Sequence, residues 1–457
     1  MLNIHIGIMI FILHFLFLAS ECYSDNNRNA IDLKQAIKYL ISNSPTLASL
    51  KLEVANSELA KKNAFAAFLP SLDLNATHGL QNRYTNNSLN PPSGKNNNTW
   101  TSSISLDLSE TFYDNGVSVT NYKISELKRQ KVELNYRKEL ERLTFEFCNE
   151  FLNYSYLKKI LAIQNEQLVL IKKQNAIISK IYYQGLKSKK DFLRSKTDVS
   201  RLEIEITLTT NGIEKSKMEI FRLLSWTYSE DQQTNQINFI PIDEKDSTKL
   251  QPLQPPPIEN YFEHKVGMLQ QNITELETSQ IDKKNWPEFS LTSGVSYSSN
   301  NYIGGSKSWS HSFADNDSTS WNLLFKIKYN ILDWGVRAHD KEIANNKKII
   351  EKKQFENEML VLKTNMNKLL LDLHDKWINY KTNQELLDLE KDTYELIYNE
   401  YHNGKVSYLD LITALKSLTE AKTKFFSAFF DLRRGFLSYY FNKGTLYETI
   451  SNETTPK

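Results

Sequence analysis

Two periods alternate along this chain. Leu140, Leu143, Phe147, Phe151, Tyr154, Leu157, Leu161, Leu168, Ile171, Ile178 and Ile181 step by three, four or seven residues, as do Met366, Leu370, Leu373, Trp377, Tyr380, Leu387, Tyr394, Ile397 and Tyr401. Such steps place one apolar stripe on a helix, and their persistence describes a coiled-coil seam. Elsewhere the period is two. Leu72, Leu74, Ala76 and Leu80 oppose Ser71, Asp73, Asn75, Thr77 and Gln81, and Trp100, Ile104, Leu106, Leu108 and Phe112 oppose Thr101, Ser103, Ser105, Asp107 and Ser109. A later pair repeats the alternation: Phe289, Leu291, Val295 and Tyr297, then Trp321, Leu323, Phe325, Ile327, Tyr329 and Ile331. These runs predict strands over 70–83, 99–113, 287–302 and 319–333.

The elements come in two copies. Phe112-Tyr113-Asp114-Asn115-Gly116 is echoed by Ile331-Leu332-Asp333-Trp334-Gly335, and Tyr182 to Asp191 by Tyr401 to Asp410, both at an offset of 219. Between the paired glycines, 117–184 and 336–403 are each 68 residues without Gly or Pro. At about 1.5 Å per residue such a stretch forms on the order of 100 Å of helix, continuous or stacked. Gly185 and Gly404 then suit the left-handed position after a helix end, and a second helical pattern follows each. Each repeat is therefore a pair of strands followed by a long helical hairpin with a tight tip, over 25–228 with its hairpin at 117–228, and over 259–444 with its hairpin at 336–442. A Pro-rich linker, 229–258, separates the repeats, and the polar tail at 445–457 is expected to fray.

Composition agrees with long regular elements: only 14 Gly and 11 Pro punctuate 457 residues. Hydrophobic residues at 40% and charged residues at 24% exclude a disordered chain. Lys and Arg (56) nearly balance Asp and Glu (54), so the net charge of +2 provides no field that argues for nucleic acid as a partner. Residues 4–19 are almost wholly apolar, short for a spanning helix and suited to a secretory signal cleaved after Ser24; a retained anchor is the alternative. Glu21 before Cys22 argues against a lipid-attachment site, and with the leader gone Cys148 is alone, so no intramolecular disulfide forms.

The strands have the length a tilted strand needs to cross a bilayer. A soluble antiparallel sheet with one wet face also alternates. The aromatic residues favour the membrane: Phe68, Phe112, Tyr113, Trp286 and Trp334 lie at the helix-proximal strand ends, and Tyr84, Trp100, Tyr302 and Trp321 at the distal ends. Two aromatic belts around an apolar band are what a barrel in lipid requires. The polar loops Thr85 to Thr99 and Ile303 to Thr319 then face outward. Four strands cannot close, and an open edge in lipid leaves backbone groups unsatisfied, so copies must combine. Two, three or four copies give eight, twelve or sixteen strands.

The chain resembles the TolC-like outer-membrane efflux protein family. The resemblance rests on Ala30 to Ile37, Asn43-Ser44-Pro45-Thr46-Leu47, Phe68-Leu69-Pro70-Ser71-Leu72 and the two Tyr-x-x-Gly-x-x-Ser-x-x-Asp tips, and spans about residues 30 to 444. It implies a mixed α and β membrane protein: a homotrimer with a twelve-stranded barrel in the outer membrane and a helical barrel in the periplasm. It further implies a passive exit duct of an efflux pump or type I secretion system, opened at its tip by two partners, a periplasmic adaptor (membrane fusion) protein and an inner-membrane transporter. Where family members often carry an Arg after the second tip glycine and a second acid after the first, this chain has Val406 and Thr413.

With three hairpins converging, three copies of Asp410 form one acidic ring that favours cations, and Tyr401 helps close the pore by packing. The competing roles are a helix N-cap for Asp410 and ordinary core for Tyr401. Ser188, Ser407, Asp191, Gly185 and Gly404 build the two tip turns, with Lys187, Lys189 and Lys190 expected to neutralise Asp191. The eight histidines lack metal-ligand spacing and no nucleophile or phosphate motif is present, so neither an enzyme nor a cofactor is expected. A coiled-coil periplasmic scaffold is the alternative of a different class.

Overall fold

The computed structural model describes residues 30–84, 96–186, 188–226, 238–239, 255–302 and 317–452. The expected leader, the core of the Pro-rich linker and the outward loops 85–95 and 303–316 lie outside the described residues. Two compact units are present. One holds the chain up to Thr46, Leu140–Pro255 and Met366–Lys457; the other holds Leu47–Glu139 and Pro256–Asn365.

The elements in chain order are β1 (Ala30–Ile31), α1 (Leu33–Asn43), α2 (Pro45–Ala66), β2 (Ser71–Tyr84), β3 (Asn96–Tyr113), α3 (Val117–Tyr183), α4 (Lys189–Leu223), β4 (Asn238–Phe239), α5 (Phe262–Lys283), β5 (Glu288–Tyr302), β6 (Asp317–Lys328), α6 (Val336–His402), α7 (Tyr408–Lys443) and α8 (Leu446–Asn452). Helices α3 and α6 are each 67 residues long, filling the two stretches free of Gly and Pro. Among the described residues no helix is long and apolar enough to cross a membrane.

In the second unit β2, β3, β5 and β6 form one antiparallel sheet in that order. The central pairing, β3 with β5, joins the two repeats, and the register sets Leu74, Leu106, Val295 and Trp321 in one row across the sheet. The last strand ends at Lys328, five residues before the expected 333, because its neighbour β5 begins at Glu288, the partner of Lys328. Among the described residues, Tyr329 and Ile331 have no strand beside them. The predicted loops shorten for the opposite reason, since β3 and β6 begin three and two residues before the expected 99 and 319.

Strand turns to helix at the duplicated Asp-x-Gly. Asp114 accepts the backbone N–H groups of Gly116 at 3.0 Å and Ser118 at 2.6 Å, and Asp333 accepts those of Gly335 and Arg337, each at 3.2 Å. Each carboxylate satisfies donors that the first helical turn leaves free.

In the first unit α3, α4, α6 and α7 surround two apolar clusters. One contains Leu152, Ile160, Leu373, Tyr380, Phe425 and Phe429; the other contains Ile171, Ile178, Leu202, Tyr408, Ile412 and Leu415. Seam positions Phe147, Phe151 and Tyr154 are fully buried. Cys148 is buried beside them, and burial, then the Glu141 carboxylate, holds its thiol well above the usual range.

The tail departs from expectation. Residues 446–452 form a helix, because Glu141 accepts the Tyr447 backbone N–H at 3.1 Å and Lys34 Nζ donates to the Ser451 carbonyl at 2.9 Å. An acid at the N-terminus and a base at the C-terminus both suit the helix dipole. Burial pushes the Glu141 carboxyl up to about 7 against the opposing pull of the Tyr447 and Leu446 N–H groups.

Candidate functional site

Two regions have the geometry of a site: the sheet, with two dissimilar faces, and the hairpin tips.

Leu72, Leu74, Leu80, Ile104, Leu106, Leu108, Val295, Leu323, Phe325 and Ile327 cover one face of the sheet, and all are exposed. Their register is continuous over four strands, so the patch far exceeds the apolar area a protein leaves against water. The other face is a ladder of short polar side chains. Ser71 pairs with Ser109 at 2.9 Å, Thr77 with Ser103 at 2.6 Å, Ser296 with Ser320 at 2.8 Å and Ser298 with Ser318 at 2.8 Å. Midway along it Asp107 accepts from Asn75 at 3.0 Å and Ser105 at 2.7 Å. A Cβ at position 294 would lie 2.5 Å from the Asp107 carboxylate, so glycine there makes room for the acid.

At the helix-proximal end Phe112 and Tyr113 meet Phe289, and Phe112 and Phe289 meet Phe325, with ring centroids 5.6–6.4 Å apart. Phe289 and Phe325 therefore join this belt, although sequence reasoning had placed them only on the apolar face. Trp286 and Trp334 are exposed, while Phe68 packs against Phe65 and Tyr122. Trp100 stacks on His78 at 5.1 Å, and His78 Nδ1 pairs with Ser102 Oγ at 2.8 Å, a packed role for that histidine. Along the register Trp321 pairs with Val295, which pairs with Leu106, whereas Trp100 pairs with Asn301, six residues further along β5. The side chains of Tyr84 and Tyr302 lie outside the described residues.

The two tips are built alike. Gly185 and Gly404 have φ of 76° and 69°, a region open to glycine without a Cβ penalty. The next residues close the helix end: Leu186 N donates to the Ile181 carbonyl at 3.1 Å and Lys405 N to the Glu400 carbonyl at 2.9 Å, six-to-one bonds of a Schellman turn. Ser188 and Ser407 are the N-caps that follow. Ser407 Oγ accepts the Asp410 N–H at 3.3 Å, while Asp410 Oδ2 accepts from Ser407 N at 3.0 Å and Ser407 Oγ at 2.6 Å. The cap is thus Ser407, and Asp410 is the third helical residue of a capping box, so the competing role named for Asp410 belongs to Ser407. These bonds, the Ser407 hydroxyl first, lower the carboxyl pKa of the exposed Asp410. Asp191 accepts from Ser188 Oγ at 2.9 Å and donates its N–H to the same oxygen at 3.1 Å; of the lysines expected to neutralise it, Lys187 lies outside the described residues.

Tyr401 is partly buried against the tip cluster, and burial raises its phenol above the usual range. Below both tips lies a feature that sequence reasoning missed. Asp198 on α4 is 7% exposed and pairs with Lys416 on α7 at 2.9 Å. Its signal was present, since Ser195, Asp198 and Leu202 step by three and four along the buried face of α4.

The comparisons with known proteins agree with this architecture. Residues 36–224 match the family model described as outer membrane efflux protein. The match covers less than half of the chain and carries the likeness to that family. The family so described consists of channels and not enzymes, and the solved structures similar to this chain are outer membrane channels that extend into the periplasm. Among solved structures the chain is similar to the Campylobacter jejuni CmeC outer membrane channel, with 14% identity, a TM-score of 0.77, and 91% of this chain and 86% of that chain covered. It is also similar to the Vibrio cholerae outer membrane protein VceC, with 13% identity, a TM-score of 0.71, and 92% and 96% covered. The open state of the Neisseria gonorrhoeae MtrE outer membrane channel gives 14%, 0.70, and 90% and 88%. At these identities the likeness establishes the fold. No curated protein matches the chain.

Proposed function

We propose that three copies of this chain close a twelve-stranded barrel and serve as the exit duct of an efflux pump or type I secretion system. The observation that carries the reading is the sheet itself: one exposed apolar face, one polar face, and unpaired edges at β2 and β6. Backbone groups on such edges are costly in lipid, and pairing β6 of one copy with β2 of the next removes every edge. Closure turns the Ser/Thr ladder inward, where it wets the lumen, and turns the leucines toward lipid. The long helices supply the periplasmic duct, which an adaptor and an inner-membrane transporter engage at the tips; the transporter supplies the energy.

At the mouth three Asp410 carboxylates form the acidic ring. Capping and selectivity are compatible here, because the Ser407 bonds that complete the turn also keep the carboxylate ionised. Tyr401 supports the mouth by packing on the tip cluster.

Light scattering in detergent tests the assembly: a trimer is expected, and a monomer stable in plain buffer rejects the channel. In a planar phospholipid bilayer, Asp410→Asn is expected to lower the cation-to-anion permeability ratio several-fold, because three charges leave one constriction. Since Asn still accepts the Ser407 bonds, unchanged selectivity assigns Asp410 to the turn alone.

A further inference from the structure

The two edges of the sheet carry opposite charges on the same face. Asp73 on β2 and Lys326 and Lys328 on β6 are exposed and belong to the polar face, since Asp73 pairs with Asp107, Lys326 with Ser290 and Lys328 with Glu288. Within the chain β3 and β5 stand between these charges. Asp73 faces a like charge in Asp107, and its hydrogen bond among the described residues is a 3.4 Å donation from Ser71 Oγ. Asp107 is already held by Asn75 and Ser105. Among the described residues neither lysine has an ion-pair partner, and Glu288 accepts from Thr111 at 3.5 Å. Like charges set directly opposite one another destabilise a pair of strands, and a cation beside Asp73 relieves that cost.

Strand length fixes where the two edges meet. β2 has 14 residues, Ser71–Tyr84, and β6 has 12, Asp317–Lys328, after which the alternation runs on through Tyr329 to Ile331. Setting Asp317 of one copy opposite Tyr84 of the next, antiparallel like the rest of the sheet, brings Phe325 to Ala76, Ile327 to Leu74 and Tyr329 to Leu72 on the apolar face. On the polar face the same register brings Lys328 to Asp73. Ser71 then falls opposite Asn330, whose carbonyl accepts from the Arg337 guanidinium, and Pro70, which has no N–H, falls opposite Ile331. The ladder therefore stops where β2 stops.

A closed barrel needs such a stagger. The row through Asp73 runs by Asp107 and Gly294 to Asn322, so the seam shifts six residues toward the helices, from Asn322 to Lys328, before it meets Asp73 again. Six residues at about 3.3 Å each, over four strands about 4.8 Å apart, tilt the strands by about 45°, as membrane barrels require. A shift by one residue turns the apolar face of one copy against the polar face of the next, so only even staggers are open. A stagger of four sets Lys326 against Asp73 and leaves Arg83 and Tyr84 beyond the start of β6; a stagger of eight sets Asn330 there.

We propose that an ion pair between Lys328 of one copy and Asp73 of the next fixes the register of the barrel seam, so that each copy recognises another by its edges. The proposal rests on the barrel reading above and names the contact that closes it. Tyr329 and Asn330 complete β6 only in the assembly. A pair open to the lumen adds little stability; its work is the choice among registers.

The test uses the full chain in detergent. Across the seam Thr77 falls opposite Leu324 at the proposed register and opposite Asn322 at a stagger of four, and substitution at these positions leaves the charges in place. Thr77→Cys with Leu324→Cys, oxidised with copper phenanthroline, is expected to give disulfide-linked dimers and trimers in about fivefold higher yield than Thr77→Cys with Asn322→Cys, because directly opposite positions lie closer than diagonal ones. Asp73→Lys and Lys328→Asp are each expected to lower the trimer fraction in light scattering about fivefold, and the two together to restore it. Should the cysteine variants not assemble, this charge swap decides alone. Equal or reversed cross-linking yields in an assembled trimer, or a double reversal no better than the single ones, overturn the register and leave the barrel standing. An unmodified chain that stays monomeric in detergent rejects the barrel reading, and the seam with it.

Discussion

Phe151 on α3 and Leu74 on β2 are both apolar members of regular patterns, yet Phe151 is 0% exposed and Leu74 is 72% exposed. The difference runs through both regions. Seam residues of the helical unit find partners on α4, α6 and α7 of the same chain. Residues of the sheet's apolar face stay exposed even where they touch one another: Phe325, in ring contact with Phe112 and Phe289, is 59% and Trp321 79% exposed. The same hydrophobic effect therefore acts on two different solvents. Four helices supply one another's apolar surroundings, whereas a single layer with polar side chains behind it has to take its surroundings from lipid.

The largest expected effect falls on the buried side of this comparison. Phe151→Ala leaves a cavity in the helical unit and is expected to lower unfolding stability by about 3–5 kcal/mol, read from loss of helical signal during denaturant titration in detergent. A cost below about 1 kcal/mol would place Phe151 at a surface that repacks freely. Leu106→Arg probes the other side. A charge in the middle of the apolar face is expected to cost about 2–4 kcal/mol of insertion into phospholipid vesicles, with the helical signal in detergent little changed. Equal insertion of both proteins would show that this face does not meet lipid.

A smaller effect, with a defined pH dependence, comes from the buried carboxyl at the start of α8. Glu141 has its folded pKa raised to about 7 from the ordinary 4.5. Its contribution to stability is therefore full below pH 4.5 and is lost as pH rises through 7. Glu141→Gln keeps an acceptor for the Tyr447 N–H and removes the buried charge. It is expected to match the unmodified protein at pH 4 and exceed it by about 1–3 kcal/mol at pH 8. Equal thermal stability at both pH values would mean that Glu141 ionises as readily as an exposed acid.

Much of this fold was legible because its elements are long and their patterns local. A stretch of 68 residues without Gly or Pro leaves little choice but helix, and the period of two in Leu72 to Leu80 names which side chains share a face. The tip glycines were equally legible, since a left-handed turn after a helix has a residue preference of its own. The end of β6 was not, because a strand stops where its neighbour stops, and Tyr329 and Ile331 continue the alternation beyond the last residue of β5 able to pair. Nor was the capping box: Ser407 and Asp410 both suit an N-cap, and only backbone geometry separates the cap from the third helical residue. The α8 helix stayed hidden because its ends are held by Glu141 and Lys34, more than 300 residues away in the chain.

The sequence by itself determined the duplication, the helical hairpins, the amphipathic strands and their aromatic ends, since each is written in neighbouring residues and follows from the geometry of one element. The tertiary structure decided the strand order, the level of Trp321, the lodging of Asp107 over Gly294 and the meeting of Asp198 with Lys416. These depend on which distant segments lie side by side and in what register, and periodicity within one element carries no information about its offset from another.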